Sequence, residues 1–157
     1  FSILVNNHQT AAIAVALKEA MQPEFTLYAQ QIVKNAKQLA ECLLSKGYTL
    51  ITGGTDNHLM VIDLTNHGIT GAQAEKALGQ AGITVNKNTI PFDQRTPYDP
   101  SGIRLGTPAL TTRGMREDEM KLVATFIDTA LSNWHDEKKL AVIREQVQAL
   151  CLQFSIN

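Results

Sequence analysis

The chain has 157 residues, 44% of them hydrophobic and 18% charged, with 14 Lys and Arg against 15 Asp and Glu. That is enough for one ordinary domain with a real core, and too evenly charged for the basic footprint of a general nucleic-acid binder. No apolar run approaches the ~20 residues of a membrane-spanning helix, and the two cysteines, Cys42 and Cys151, exclude a disulfide framework and read as free thiols in a reducing cytosol.

Phe1 to Val5 read as a strand or as the cut edge of a longer chain. From Thr10 to Ala20 the sequence is rich in Ala, the best helix former, with Val15 and Leu17 between. A helix small and apolar all round is usually packed on several sides; with its partner missing, this one is expected to project or pack poorly and to offer a surface for self-association. Pro23 suits the first turn of a second helix, on which Phe25, Tyr28, Ile32, Leu39 and Leu43 share one face. Lys46 and Gly47 end it, the cation near the last carbonyls and the glycine as left-handed cap.

Strands come next. Tyr48 to Ile51 is short and β-favouring, and Gly53 to Asn57 is a turn cluster. Leu59 to Leu64 is a near-continuous apolar run, the pattern of a strand covered on both faces. Thr70-Gly71-Ala72-Gln73 reads as a capping box opening a helix through Ala81, and Ile83-Thr84-Val85 reads as a third strand. Residues 86–100 carry Pro91, Pro97 and Pro100 among polar residues and predict a loop, long enough to be functional. Gly102 to Gly106 predicts the last strand, with Arg104 on one face and Ile103 and Leu105 on the other. Thr107-Pro108 starts a short helical turn. A main helix follows, with acids Glu117, Asp118 and Glu119 at its positive end and Met120, Val123, Ile127 and Leu131 on its buried face. The tail from Glu137 to Phe154 predicts another helix, packed on its own domain or on a partner chain. The sum is α/β: a small, mainly antiparallel sheet on one side and helices on the other.

Arg104 leads the candidate site residues. Its guanidinium needs an anion and matches a carboxylate bidentately, while Gly102 and Gly106 allow another backbone or a ligand to approach closely. The alternative is an internal ion pair with one of the acids. Asn86-Lys87-Asn88-Thr89-Ile90-Pro91 gathers amide donors and acceptors able to read a polar heterocycle edge, or forms a polar turn that satisfies its own backbone. His8, His58, His67 and His135 have no metal-ligand spacing, and no metal site is expected. Lys87 stands in a polar loop with nothing to depress its pKa, so it is a poor Schiff-base candidate.

Three segments, Gly53 to Leu59, Gly82 to Pro91 and Ser101 to Gly114, closely resemble in order and spacing the carboxy-terminal third of serine hydroxymethyltransferase. The resemblance runs from about Asn7 to Ser132 and weakens beyond Trp134. Residues 1–6 depart from it, with Ile3-Leu4-Val5-Asn6 where the family has a Gly-Gly-Pro segment.

The resemblance implies a pyridoxal-phosphate transferase of one-carbon metabolism, cytoplasmic and homodimeric or tetrameric. Such an enzyme converts serine and tetrahydrofolate to glycine and 5,10-methylenetetrahydrofolate. It implies that Arg104 anchors the amino-acid carboxylate, that Asn88 contacts folate, and that Thr96-Pro97-Tyr98 is the folate-contacting loop. It divides the chain into the end of a large domain with its linker helix (1–22) and a small C-terminal domain (23–157). The family's Schiff-base lysine, pyridinium-pairing acid and most phosphate ligands have no counterpart here, so no catalytic residue is assigned and the chain alone is expected to be inactive. A non-catalytic binding or regulatory paralogue of the same fold is the alternative. A different pyridoxal-phosphate enzyme with a similar small domain fits the Asn-Lys-Asn-Thr-Ile-Pro segment less well.

Overall fold

A computed structural model describes residues 7–154, so the reading of Phe1 to Val5 lies outside the described residues. Two helices open the fold, α1 (Asn7–Ala20) and α2 (Pro23–Ser45). Strands β1 (Thr49–Leu50) and β2 (Leu59–Asp63) follow, then a 3-10 turn at Thr65–His67 and α3 (Gly71–Gln80). After them come β3 (Asn86–Asn88), β4 (Gly102–Gly106), α4 (Pro108–Thr112), α5 (Glu117–Ser132) and α6 (Glu137–Gln153). The four strands form one sheet in the order β1-β2-β4-β3, and every neighbouring pair is antiparallel.

Helix boundaries follow the local chemistry. Pro23 occupies the first turn of α2. The Thr70 hydroxyl accepts from the Gln73 amide at 3.2 Å while the Gln73 side chain accepts from the Thr70 amide at 2.9 Å, the reciprocal capping box the sequence predicts. At α5 the Glu119 carboxylate accepts from the Arg116 amide at 2.7 Å, and Asp136 caps α6 through the Lys139 amide.

Register sets the two faces of the sheet. Met60 opposes Leu105 and Ile62 opposes Ile103; all four are buried, and with Leu39, Leu43, Leu78, Met120 and Ile127 they build the core. Helices α2 and α3 lie against this face, α5 packs across both, and α6 packs on α3 and α5. The tail helix therefore belongs to its own domain, anchored by Leu140, Ile143 and Leu150.

Three expectations are corrected. Ile83-Thr84-Val85 is not a strand: the ladder starts at Asn86, inside the segment read as loop, because the edge strand β3 needs only β4's backbone groups and no apolar alternation. β2 is covered on one face only; Leu59, Val61 and Asp63 remain half-buried. The predicted face of α2 splits, with Leu39 and Leu43 buried but Phe25 exposed, because packing begins near Asn35. Helix α1 projects, as expected for a helix without its partner. It buries no residue and leaves Ile13, Val15 and Leu17 solvated, so the packing on several sides that its composition suggests is absent among the described residues.

Candidate functional site

Arg104 sits in the middle of β4, directly opposite Val61 of β2 on one side and Asn86 of β3 on the other. Directly opposed residues share a sheet face, so Arg104 leaves the sheet away from the helices, and it is exposed. The internal ion pair that could have claimed it is not there: among the described residues the guanidinium has no carboxylate or carbonyl partner. The flanking glycines admit neighbouring backbone. A Cβ on Gly102 would lie 2.7 Å from the Ile62 carbonyl oxygen and 3.0 Å from that of Asn88, and one on Gly106 would lie 2.7 Å from the His58 carbonyl oxygen. Only glycine lets the three strands close up around Arg104.

Asn88 opposes Gly102 and, two residues along β3 from Asn86, shares the face of Arg104. Its Nδ2 donates to the Thr89 carbonyl at 2.6 Å, which leaves its Oδ1 without a partner among the described residues. Lys87 points to the other side of the strand. Its Nζ donates to the Tyr98 carbonyl at 2.8 Å and its amide donates to Glu75 Oε1 of α3 at 2.9 Å.

The segment joining β3 to β4 holds two turns with the same hydrogen-bond pattern, of which only the first has a left-handed third residue. The Asp93 amide donates to the Ile90 carbonyl and the Asp99 amide to the Thr96 carbonyl. Each turn therefore reads Pro-aromatic-Asp after its first residue: Pro91-Phe92-Asp93, then Pro97-Tyr98-Asp99. Proline at the second position presets the bend. Phe92 has φ 58, the left-handed value that the third position of a type II turn requires. Both rings stand in solvent, Phe92 95% and Tyr98 86% exposed, and Thr96 and Pro97 are exposed beside them.

Each turn is held by its aspartate. The Asp93 carboxyl lies well below the usual carboxylate range, first because the Ser101 amide and hydroxyl donate to it, then through the amides of Arg95 and Ile90. Asp99 is lowered by the Thr70 hydroxyl first and by Arg95 next; Arg95 also pairs with its carboxylate and donates from Nε to its carbonyl at 3.0 Å. The Gly71 amide at the head of α3 donates to the Pro100 carbonyl at 2.7 Å. No side-chain hydrogen bond joins Thr96 or Tyr98 to Asn88 or Arg104 among the described residues; they are related through the β3–β4 strand pair that their loop connects.

On the helical side the chemistry is structural. Asn35, fully buried, donates to Thr111 Oγ1 and to the Met115 carbonyl, each at 2.9 Å, and Thr107 Oγ1 donates to the Ile32 carbonyl at 2.9 Å. A cavity of about 270 Å³ lies among β4, α5 and α6, lined by apolar residues such as Leu105, Phe126 and Val147, and does not include Arg104. The Tyr48 hydroxyl donates to Asp128, which Lys46 also pairs, and its ring stacks on His67 at 4.6 Å between centroids. Burial, then Asp128, pushes the Tyr48 phenol far up.

Sequence reading missed the two aspartate-held turns and the Lys87–Tyr98 tie. The signal was present, since a Pro-aromatic-Asp triplet recurring within one loop is turn chemistry.

Fold and site together define a small α/β domain that presents an unpaired arginine and an amide side chain on the open face of an antiparallel sheet. Residues 5–127 match the family model described as serine hydroxymethyltransferase. The protein of that name from Desulfotalea psychrophila is 55% identical over 145 residues, which cover 92% of this chain and 34% of the relative. That from Acidobacterium capsulatum is 56% identical over 149 residues, 95% of this chain and 35% of the relative. The chain belongs to the serine hydroxymethyltransferase family. It spans about a third of the length of the curated relatives it matches. Matches of this length also carry the similarity past Trp134 into α6, further than the sequence reading placed it.

Proposed function

We propose that the chain is the C-terminal small domain of a longer serine hydroxymethyltransferase, in which Arg104 anchors the substrate carboxylate and Asn88, Thr96, Pro97 and Tyr98 contact folate. The parent reaction passes the hydroxymethyl carbon of serine to tetrahydrofolate and leaves glycine. The observation that carries this reading is Arg104 itself: a guanidinium fixed at the centre of a sheet, exposed and without a counter-ion among the described residues.

A bidentate grip on the carboxylate would fix the orientation of the amino acid about Cα and so select the bond that reacts. Pyridoxal phosphate, when bound, would supply the electron sink for that bond. The residues present fit the substrate side of such a site and not the cofactor side. The lysine nearest the candidate residues, Lys87, is engaged as a donor to the Tyr98 carbonyl and lies on the opposite side of β3 from the face that Arg104 shares with Asn86 and Asn88. The cofactor's ligands belong, on this reading, to the rest of the longer protein.

The reading extends to a boundary near residue 22, with α1 as the linker from a large domain, supported by the absence of any buried residue in that helix. It extends also to a cytoplasmic homodimer or tetramer. The free thiols of Cys42 and Cys151 support the first term, and the uncovered apolar side chains of α1 agree with a covering partner. Among the described residues no helix is long and apolar enough to cross a membrane. The test is a pair of Michaelis constants in the full-length protein. Arg104→Ala should raise that for serine and Asn88→Ala that for tetrahydrofolate; both constants unchanged would reject the assignment.

A further inference from the structure

We propose that Asp93 is a positioning residue that fastens the loop between β3 and β4 to the head of β4 and thereby sets the folate-contacting residues relative to Arg104. This rests on the reading of Thr96, Pro97, Tyr98 and Arg104 given above.

The carboxylate works as a four-way junction. Oδ1 accepts from the Arg95 amide at 2.9 Å and from Ser101 Oγ at 2.7 Å; Oδ2 accepts from the Ile90 amide at 3.2 Å and from the Ser101 amide at 3.0 Å. Each oxygen therefore takes one donor from the loop and one from Ser101. Ser101 is buried, directly precedes β4 and lies three residues before Arg104. A connection of this length without regular structure lacks the repeating backbone bonds that would make it rigid, and the carboxylate supplies substitutes at the point where the loop meets the strand. The chain around it is bent to suit: Phe92, immediately before Asp93, is in the left-handed region although it is not glycine, a conformation that persists only where the surroundings over-determine it.

Four donors need an ionised carboxylate. An Asn side chain offers a single acceptor oxygen and turns an NH2 group toward N–H and O–H donors. The strong downward displacement of the Asp93 pKa agrees with a carboxylate that stays ionised throughout the neutral range. Arg95, whose amide donates to Asp93, also pairs with the Asp99 carboxylate and donates to its carbonyl, so releasing Asp93 loosens the turn that carries Thr96, Pro97 and Tyr98 as well, while β4 stays paired on both edges.

That asymmetry gives the test. In the full-length protein, Asp93→Asn should raise the Michaelis constant for tetrahydrofolate about tenfold and leave that for serine within twofold. Asp93→Glu should recover part of the loss. Hydrogen exchange of peptides covering 89–101 should accelerate about tenfold in Asp93→Asn, with peptides from β2 and β4 unchanged. If Asp93→Asn does not fold, Ser101→Ala, which removes one hydroxyl bond, should show the same pattern at about threefold. Unchanged exchange of 89–101, or a serine constant that rises as much as the folate constant, overturns the proposal. Thr96→Ala and Tyr98→Ala separate the two readings. If they leave the folate constant unchanged, the loop is not the folate contact and the folate role of Asp93 falls with it, while exchange still decides whether Asp93 fastens the loop. If they raise the constant and Asp93→Asn does not, the positioning role alone fails.

Discussion

Asn86 and Arg104 stand directly opposite each other on the antiparallel strands β3 and β4, and Val61 faces Arg104 from the other side. The backbone of Arg104 is thus laddered on both edges while its guanidinium has no partner among the described residues. With the backbone already fixed, only side-chain freedom is lost when the charged head takes an anion, and an unpartnered guanidinium adds little to the stability of the domain.

Arg104→Lys should therefore separate binding from stability. In the full-length protein the serine Michaelis constant should rise by roughly 10- to 150-fold, the equivalent of the ~1.5–3 kcal/mol of a lost charge-assisted hydrogen bond. The unfolding free energy of this chain in urea should move by less than about 0.5 kcal/mol, as for surface substitutions in general. A serine constant at the wild-type value removes Arg104 as the anchor.

Gly102→Ala should do the reverse and strike stability. The added methyl would meet the Ile62 carbonyl oxygen at 2.7 Å and Ile90 Cγ2 at 2.8 Å, and backbone oxygens in a three-strand ladder cannot step aside. A loss of about 1–3 kcal/mol, the usual cost of overpacking, should appear in thermal or urea unfolding.

Asn35→Ala tests the polar knot inside the helical layer. Its Nδ2 serves Thr111 and the Met115 carbonyl, and truncation strands both acceptors out of water. The expected loss is about 1–3 kcal/mol. A variant as stable as the parent chain in urea would show that water replaces the amide.

Helix identities and caps were legible because periodicity, Thr70, Pro23 and the acids of α5 act locally. The faces of β4 were legible for the same reason, since alternation of Ile103, Arg104 and Leu105 is a property of the strand itself. β3 was not: strand propensity reports how side chains fit a half-buried surface, and the edge strand Asn86-Lys87-Asn88 is joined to the sheet by backbone groups that leave no mark on side-chain pattern. Ile83 and Val85 carried the apolar signal three residues too early. Arg104 stood out as a candidate from its surroundings, but the alternatives of ion pair and free anchor differ only in where distant acids end up. The turn at Asp93 left its mark in the Pro91-Phe92-Asp93 triplet, but the bond that fastens it to β4 did not, because its donor is Ser101, eight residues away.

The pH dependence should have two limbs. Asp93 and Asp99 have folded-state pKa values below their ordinary ones, so the stability they contribute is present above the unfolded carboxylate range and is lost as pH falls through about 4 and below. Tyr48 is displaced upward, so its contribution is complete below the ordinary tyrosine value near ~10 and is lost as pH rises beyond it. Urea midpoints should be flat from about pH 6 to 9 and fall on both sides; Tyr48→Phe should shrink the alkaline fall. An unchanged alkaline limb in that variant would assign it to other groups.

This chain alone should form no glycine from labelled serine with pyridoxal phosphate and tetrahydrofolate supplied. Lys87 is tied to the Tyr98 carbonyl, and the described residues carry no cofactor-holding lysine in contact with the Arg104 face. Glycine above a heat-denatured control, abolished by Lys87→Ala, would mean that the chain holds a complete site.

The strand order β1-β2-β4-β3 has a consequence for how this surface comes into being during synthesis. β3 emerges before β4 yet has no other strand to pair with, so Asn86 and Asn88 wait, unladdered, until Gly102 to Gly106 arrive and slot between β2 and β3. The arginine and the asparagines are thus assembled in one late event that depends on contacts far apart in sequence, the slow kind. A nascent chain stalled anywhere before Gly102 has neither the arginine nor the strand that orders the asparagines, and one released past Gly106 can gain both at once.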